Sequence, residues 1–134
     1  MTGLPAYLGI RTIEMGPARM IAELDVREEL LNPFGSAHGG VIAGLVDHVL
    51  GMVLYPVIER GKWAATTEFK INLLAPVTAG RVEAAADVVS MSRRLAVVRI
   101  DVHNVVPDDV GTGDRRRLVA VAQGTSTIVA PKTG

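Results

Sequence analysis

The sequence predicts an α+β domain in which one long helix is wrapped by an antiparallel sheet of five or six strands. Three observations predict it. A single apolar stretch, Gly39 to about Glu59, lacks alternation and is too long for one strand. The runs on either side of it alternate apolar and polar residues, the period of a half-buried strand. The later runs are joined by short turn signals, which suits a meander of antiparallel strands and not strand–helix–strand crossovers. With 134 residues the chain reads as a single domain, 1–134, long enough to bury a core without disulfides or a metal.

The elements follow in order. Leu4 to Met15 is short and mixed, punctuated by Gly9 and Gly16, with room for a helical turn. Arg19 to Val26 alternates, with Met20, Ala22, Leu24 and Val26 on one parity and Arg19, Glu23 and Asp25 on the other, and is a strand. Asn32-Pro33-Phe34-Gly35 is a turn, because Pro fixes φ and Gly admits positive φ. The long helix follows from Gly39, about 30 Å if it runs to Glu59, with Pro56 placed to kink or finish it. Its apolar residues fall all round, so protein should cover most of its sides. After Arg60-Gly61 come four strands: Trp63 to Leu74, Arg81 to Met91, Leu95 to Val106 and Leu118 to Val129. A polar loop, Pro107 to Asp114, precedes the last.

Composition narrows the function. Aromatics make up only 4% of the chain against 49% hydrophobic residues, so the core is built from Val, Leu, Ile and Ala. Fourteen basic residues balance fourteen acidic ones, so no global field draws the chain to nucleic acid or an anionic membrane. The absence of cysteine excludes disulfides, thiolate metal sites and a Cys nucleophile, and fits a reducing, cytoplasmic location. The start of the chain has no basic and apolar leader pattern, so no signal peptide is expected. Val41–Ile58 is the only apolar run near membrane-spanning length. Asp47 and His48 stand at its midpoint, where charge is costly in lipid, so no membrane partner is expected.

The chemistry concentrates in the helix. Gly40, Gly44, Asp47 and Gly51 fall on one helical face. Each interior glycine costs about 1 kcal/mol relative to Ala, which fits either tight packing or close approach by a backbone or ligand. A carboxylate among apolar residues fits either a hydrogen-bonded structural group or a nucleophile or general base. His38-Gly39-Gly40 opens the helix, where free N–H groups and the dipole favour an oxyanion. His38, His48 and His103 have no defensible metal-ligand spacing, and no metal or cofactor is expected.

The constellation Asn32-Pro-x-Gly35-x-x-His38-Gly39-Gly40, followed by Asp47 in the long helix, resembles the hotdog-fold acyl-CoA thioesterases, in particular their PaaI-like, phenylacetate-pathway branch. The resemblance extends over nearly the whole chain in element order and length. It implies a central helix wrapped by the antiparallel sheet, a homodimer or a dimer of dimers, and hydrolysis of an acyl-coenzyme A, aryl-acyl or medium-chain, to free acid and CoA. It also implies that Asn32, His38, Gly39 and Asp47 are active-site residues. The Gly39 N–H would be the oxyanion donor and Asp47 the nucleophile or general base. Thr66 or Thr67 would position water, with Thr66 preferred from its distance to Pro76. Gly40 is placed with the substrate, and Arg93-Arg94 resemble a basic pair that receives the CoA phosphates. Arg115-Arg116-Arg117 are a second basic candidate.

One consequence needs no resemblance. Gly39 and Asp47 lie eight residues apart on one helix, about 12 Å along its axis, yet an oxyanion donor and a nucleophile must both lie about 3 Å from the reacting atom. Two helices running antiparallel across a two-fold axis satisfy both, so a site using both residues is shared between subunits. The alternatives are a hotdog hydratase or dehydratase, or a non-catalytic acyl-CoA-binding module. The adjacent Asp47-His48 pair does not reproduce a hydratase arrangement, since neighbours on a helix do not face one another. Neither the acyl group nor the choice between dimer and tetramer is fixed by these residues.

Overall fold

The computed structural model of the chain describes residues 1–111 and 113–132. Thr112, inside the expected Pro107–Asp114 loop, and the last two positions of the expected 1–134 domain lie outside the described residues. Among the described residues, six antiparallel strands form one sheet in the order β1-β2-β4-β5-β6-β3. They are β1 (Arg11–Gly16), β2 (Arg19–Asp25), β3 (Trp63–Leu73), β4 (Arg81–Met91), β5 (Leu95–Pro107) and β6 (Asp114–Val129). Helix α2 (Gly39–Met52) lies across one face, against strands β2 to β6, and the short α1 (Gly3–Leu8) packs on α2.

Alternation places the core between α2 and the sheet. Met20, Ala22 and Leu24 of β2, Val82, Ala84 and Ala86 of β4, and Val98, Ile100 and Val102 of β5 are buried against Leu45, Val46, Val49 and Leu50 of the helix. The alanines of β4 leave room for a helix in a core with few aromatics. The buried Ser126 hydroxyl donates to the Leu50 carbonyl at 3.2 Å, tying β6 to one of the carbonyls that the end of a helix leaves free. The opposite face of the sheet is a charged ladder. Glu23 and Glu83 are direct neighbours in the β2/β4 register, and Arg81 pairs with both, at 3.0 and 3.4 Å. Arg11 and Arg116 complete the neutralisation from the flanks.

Three boundaries differ from the sequence reading. Strand β1 completes the sheet as its sixth strand, within a segment read as short and mixed with room for a helical turn. Its residues are exposed almost throughout, so it carries no apolar alternation to read. Helix α2 ends at Met52 and not near Glu59, so it is about 21 Å long. Beyond it the hydrogen bonds tighten to i, i+3, as in Leu54 N–H to Gly51 O and Tyr55 N–H to Met52 O, and Pro56 has no N–H with which to resume the helix. Strand β6 begins at Asp114 and not at Leu118: Arg115, Arg116 and Arg117 pair with Val106, Val105 and Asn104 of β5 in a hairpin arm whose polar side chains hide the strand. The helix is not covered on all sides by its own chain. Asp47 is exposed, Gly44, His48 and Gly51 are half-buried, and these residues border a groove.

Candidate active site

The turn before α2 is built by Asn32. Its N–H donates to the Ser36 carbonyl at 2.7 Å, and its Oδ1 accepts the N–H groups of Phe34 at 2.9 Å and Ser36 at 3.1 Å. The side-chain carbonyl is therefore committed to the turn, and Nδ2 is the end that remains to donate. Gly35 closes the turn at φ 86°. His38 caps the helix, its Nδ1 accepting the Gly40 N–H at 2.8 Å. This bond puts the ring proton of neutral His38 on Nε2, in an exposed side chain. It also occupies the Gly40 N–H, expected at the substrate, within the helix's own cap. Gly39 is the first helical residue, so its N–H is among the donors that a helix start leaves free. A Cβ at Gly39 would stand 3.0 Å from Leu73 Cδ1, so its backbone lies at the floor of a narrow cleft of about 330 Å³, shared with Asn32, Leu73 and Pro76.

Asp47 lies elsewhere. With Gly44, His48 and Gly51 it forms one wall of a larger groove of about 750 Å³. The facing wall is β3, where Thr66, Thr67, Glu68 and Phe69 all contribute. Successive strand residues ordinarily point to opposite faces. Here the β3/β6 register slips between Thr66 and Glu68, and this bulge brings both threonines to the groove. The Thr67 hydroxyl donates to the Thr125 carbonyl at 3.1 Å, so Thr66 is the threonine whose hydroxyl has no such tie. Leu4, Pro5 and Leu8 of α1 form the outer wall. Arg27 fixes α1 by donating to the Tyr7 carbonyl at 2.5 Å and stacking on the Tyr7 ring, 4.9 Å from its centroid. Burial holds the His48 imidazole below its ordinary pKa against the opposing pull of the Asp47 charge, and its Nε2 is buried without a hydrogen bond.

Within one chain, then, the structure brings Asp47 and Thr66 together and Asn32 and Gly39 together, in two separate depressions. Arg93 and Arg94 lie in the β4–β5 turn and border a third, of about 460 Å³, with Lys62 and Thr127. Arg116 of the second basic candidate is engaged by Glu83 at 3.1 Å. Sequence reasoning missed Leu4, Leu8, Tyr55 and Glu68 as groove residues. The bulge reverses the parity of β3, so no alternation could have placed Glu68 there. The arrangement supplies a carboxylate, a hydroxyl and an imidazole in a groove of mixed polar and apolar lining, and an amide and the Gly39 N–H in the cleft. Brought together, these are the parts of an acyl-transfer site.

The family model of the Thioesterase superfamily matches residues 34–110, which include His38, Gly39, Asp47, Thr66, Arg93 and Arg94. The chain is 31% identical over 96 residues to human acyl-coenzyme A thioesterase 13, covering 71% of this chain and 68% of that protein. It is 29% identical over 126 residues to the 1,4-dihydroxy-2-naphthoyl-CoA hydrolase of Listeria monocytogenes, covering 94% of this chain and 95% of that protein. Its fold superimposes on the PaaI protein of E. coli with a TM-score of 0.80 at 24% identity, covering 96% of this chain and 85% of the other.

Proposed function

The chain belongs to the Thioesterase superfamily and is a thioester hydrolase of the hotdog fold; on that premise we propose that it hydrolyses acyl-coenzyme A to free acid and CoA at a site shared between two copies of the chain. The observation that carries the shared site is the separation of Asp47 and Thr66 from Asn32 and Gly39 within one chain. A second copy related by a two-fold axis brings the α2 start of one subunit to the middle of α2 in the other. The free edge of β3, eleven residues long with Trp63 and Leu73 exposed at its ends, is the surface on which the copies meet. The assembly is a homodimer or a dimer of dimers.

In this site the thioester oxygen binds the Gly39 N–H of one subunit, with Asn32 Nδ2 and His38 Nε2 as the neighbouring donors. Asp47 of the other subunit acts on the carbonyl carbon by one of two routes. As a general base it takes a proton from a water held by Thr66, and the water oxygen bonds to the carbon. As a nucleophile its own oxygen bonds there, and water then opens the anhydride. In both routes the carbon–sulfur bond breaks and CoA leaves as its thiolate; the proton lost by the water, carried by Asp47 in the first route and released on opening of the anhydride in the second, restores the thiol. The developing negative charge falls on the oxygen at the helix start, where the N–H groups and dipole oppose it least. Arg93 and Arg94, in the β4–β5 turn, receive the CoA phosphates. The expected location is cytoplasmic; among the described residues no helix is long and apolar enough to cross a membrane.

The test is thiol release from a panel of acyl-CoAs. Asp47→Ala should lower kcat by several orders of magnitude with the fold intact by circular dichroism, and near-normal turnover would remove Asp47 from its role. Charge reversal at Arg93 and Arg94 should raise KM for acyl-CoA and leave it unchanged for a truncated acyl-pantetheine. An equal rise for both would displace the phosphates from this turn.

A further inference from the structure

His48 is a polar residue that the chemistry above leaves unused. It sits at the centre of the helical face that lines the Asp47 groove, one turn after Gly44 and one turn before Gly51 and Met52. Among the described residues its Nε2 is the one buried side-chain nitrogen or oxygen without a hydrogen-bond partner. A leucine would cover a similar volume without that cost, so packing does not account for an imidazole. The sealed nitrogen does fix the tautomer. Burial keeps the ring neutral, so one nitrogen carries a proton and the other a lone pair. An orphaned N–H is the rarer of the two in a protein interior. The proton therefore belongs on Nδ1, the nitrogen that is not sealed and that opens to the groove. Two hydroxyls of the groove are tied elsewhere: Thr67 donates to the Thr125 carbonyl, and Tyr55 accepts the Ala64 N–H. Thr66 and His48 are left to donate beside Asp47. No hydrogen bond joins His48 to Asp47 directly, as side chains of helical neighbours diverge, yet the Asp47 charge reaches the ring. One water spans such a gap.

We infer that His48 is a positioning residue, whose Nδ1–H, through one water, holds the Asp47 carboxylate aimed at the reacting carbon. The inference rests on the thioesterase reading and adds a residue to its site. His48 acts through Asp47 in either route, whether Asp47 takes a proton from water or attacks directly. The orphaned Nε2 is what keeps the donor on the groove side of the ring.

The experiment has two arms. Long-range proton–nitrogen correlation spectra of the full chain read the tautomers of its three histidines. His48, assigned by the signals that His48→Leu removes, should be the neutral Nδ1–H form at about pH 7.5. His38, whose Nδ1 accepts the Gly40 N–H, should show the opposite form in the same spectrum. Thiol release from a panel of acyl-CoAs supplies the second arm. An asparagine places its side-chain NH2 where Nδ1 stands, and a glutamine reaches instead to the Nε2 position. His48→Asn should keep kcat within about threefold, while His48→Leu and His48→Gln should each lose roughly tenfold or more in kcat at unchanged KM, the scale of a hydrogen bond to a charged group. His48→Leu should nonetheless melt at or above the wild-type temperature at about pH 7.5, because it removes the unpartnered nitrogen. An Nε2–H tautomer, wild-type kcat in His48→Leu, or equal losses in His48→Asn and His48→Gln overturns the proposal. Wild type that releases no thiol from any acyl-CoA removes the thioesterase reading and the role of His48 with it. Any of the three earlier outcomes in an active enzyme removes that role alone.

Discussion

His48 shows how a residue's surroundings and not its identity set its behaviour. It follows Asp47 in sequence, but the helix turns it into the protein, where Nε2 is sealed without a partner and burial lowers its pKa. The folded chain therefore keeps His48 neutral, while the unfolded chain takes up a proton near pH 6.5. The sign follows: stability is fully present above about pH 6.5 and is lost as the pH falls from there toward the lowered folded-state pKa. Wild type should melt at a lower temperature at about pH 5.5 than at about pH 7.5, and His48→Leu should lose less over that interval. Parallel melting profiles would assign the acid sensitivity elsewhere. The carboxylates held below their ordinary pKa, Glu83 by Arg116 and Asp25 by Arg11, lose their contributions only at lower pH, through and below the ordinary carboxylate range. At this scale Asp47 and His38 were legible because their spacing sits inside a specific motif. Glu68 was not, since nothing local marks a strand residue whose face is set by a bulge.

The elements that position the site depend on fits that sequence periodicity does not encode. The bulge in β3 presses against β6 at Gly124, which pairs with Phe69. A Cβ at 124 would stand 2.6 Å from Phe69 Cβ, 2.7 Å from the Glu68 carbonyl oxygen and 2.8 Å from Leu50 Cδ2. Two of these three neighbours are fixed by backbone, so they cannot swing aside. Gly124→Ala should destabilise by about 1–3 kcal/mol, the usual cost of forcing atoms into a packed interior. Because Glu68 and Phe69 line the groove, kcat/KM should fall with it. Urea unfolding at an unchanged midpoint would contradict the fit. The same limit explains the missed boundaries. Periodicity identified α2 and every strand with a buried face. Strand β1, exposed almost throughout, and the arginine-rich start of β6 have no buried parity to detect. The end of α2 turns on Pro56 and on the switch to tighter hydrogen bonds, which the apolar run Val53-Leu54-Tyr55 conceals.

On the scale of the molecule, the central question is whether one subunit or two make a site. Helix geometry alone separates Gly39 from Asp47 by about 12 Å, and the structure gives them to different depressions. That separation was legible in the sequence because it needs only residue count and helical rise. The proposed partner surface was not, because an edge strand is defined by what does not pair with it. Complementation decides the matter. Asn32→Asp keeps a side-chain oxygen to accept the Phe34 and Ser36 N–H groups, and so preserves the turn, while it removes Nδ2 and adds a charge beside the developing oxyanion. Asp47→Ala removes the acid. Each variant alone should be nearly inactive. When the two are unfolded together and refolded, a mixed dimer carries both changes in one site and neither in the other. Random reassortment makes about half the dimers mixed, so about a quarter of wild-type activity should return. A site contained in one chain has no intact copy in such a mixture, and activity would stay at the level of the separate variants. Restored activity that rises with the fraction of mixed dimers, measured with one variant carrying a charge tag so that the three species separate by ion exchange, ties catalysis to the pairing of two α2 helices.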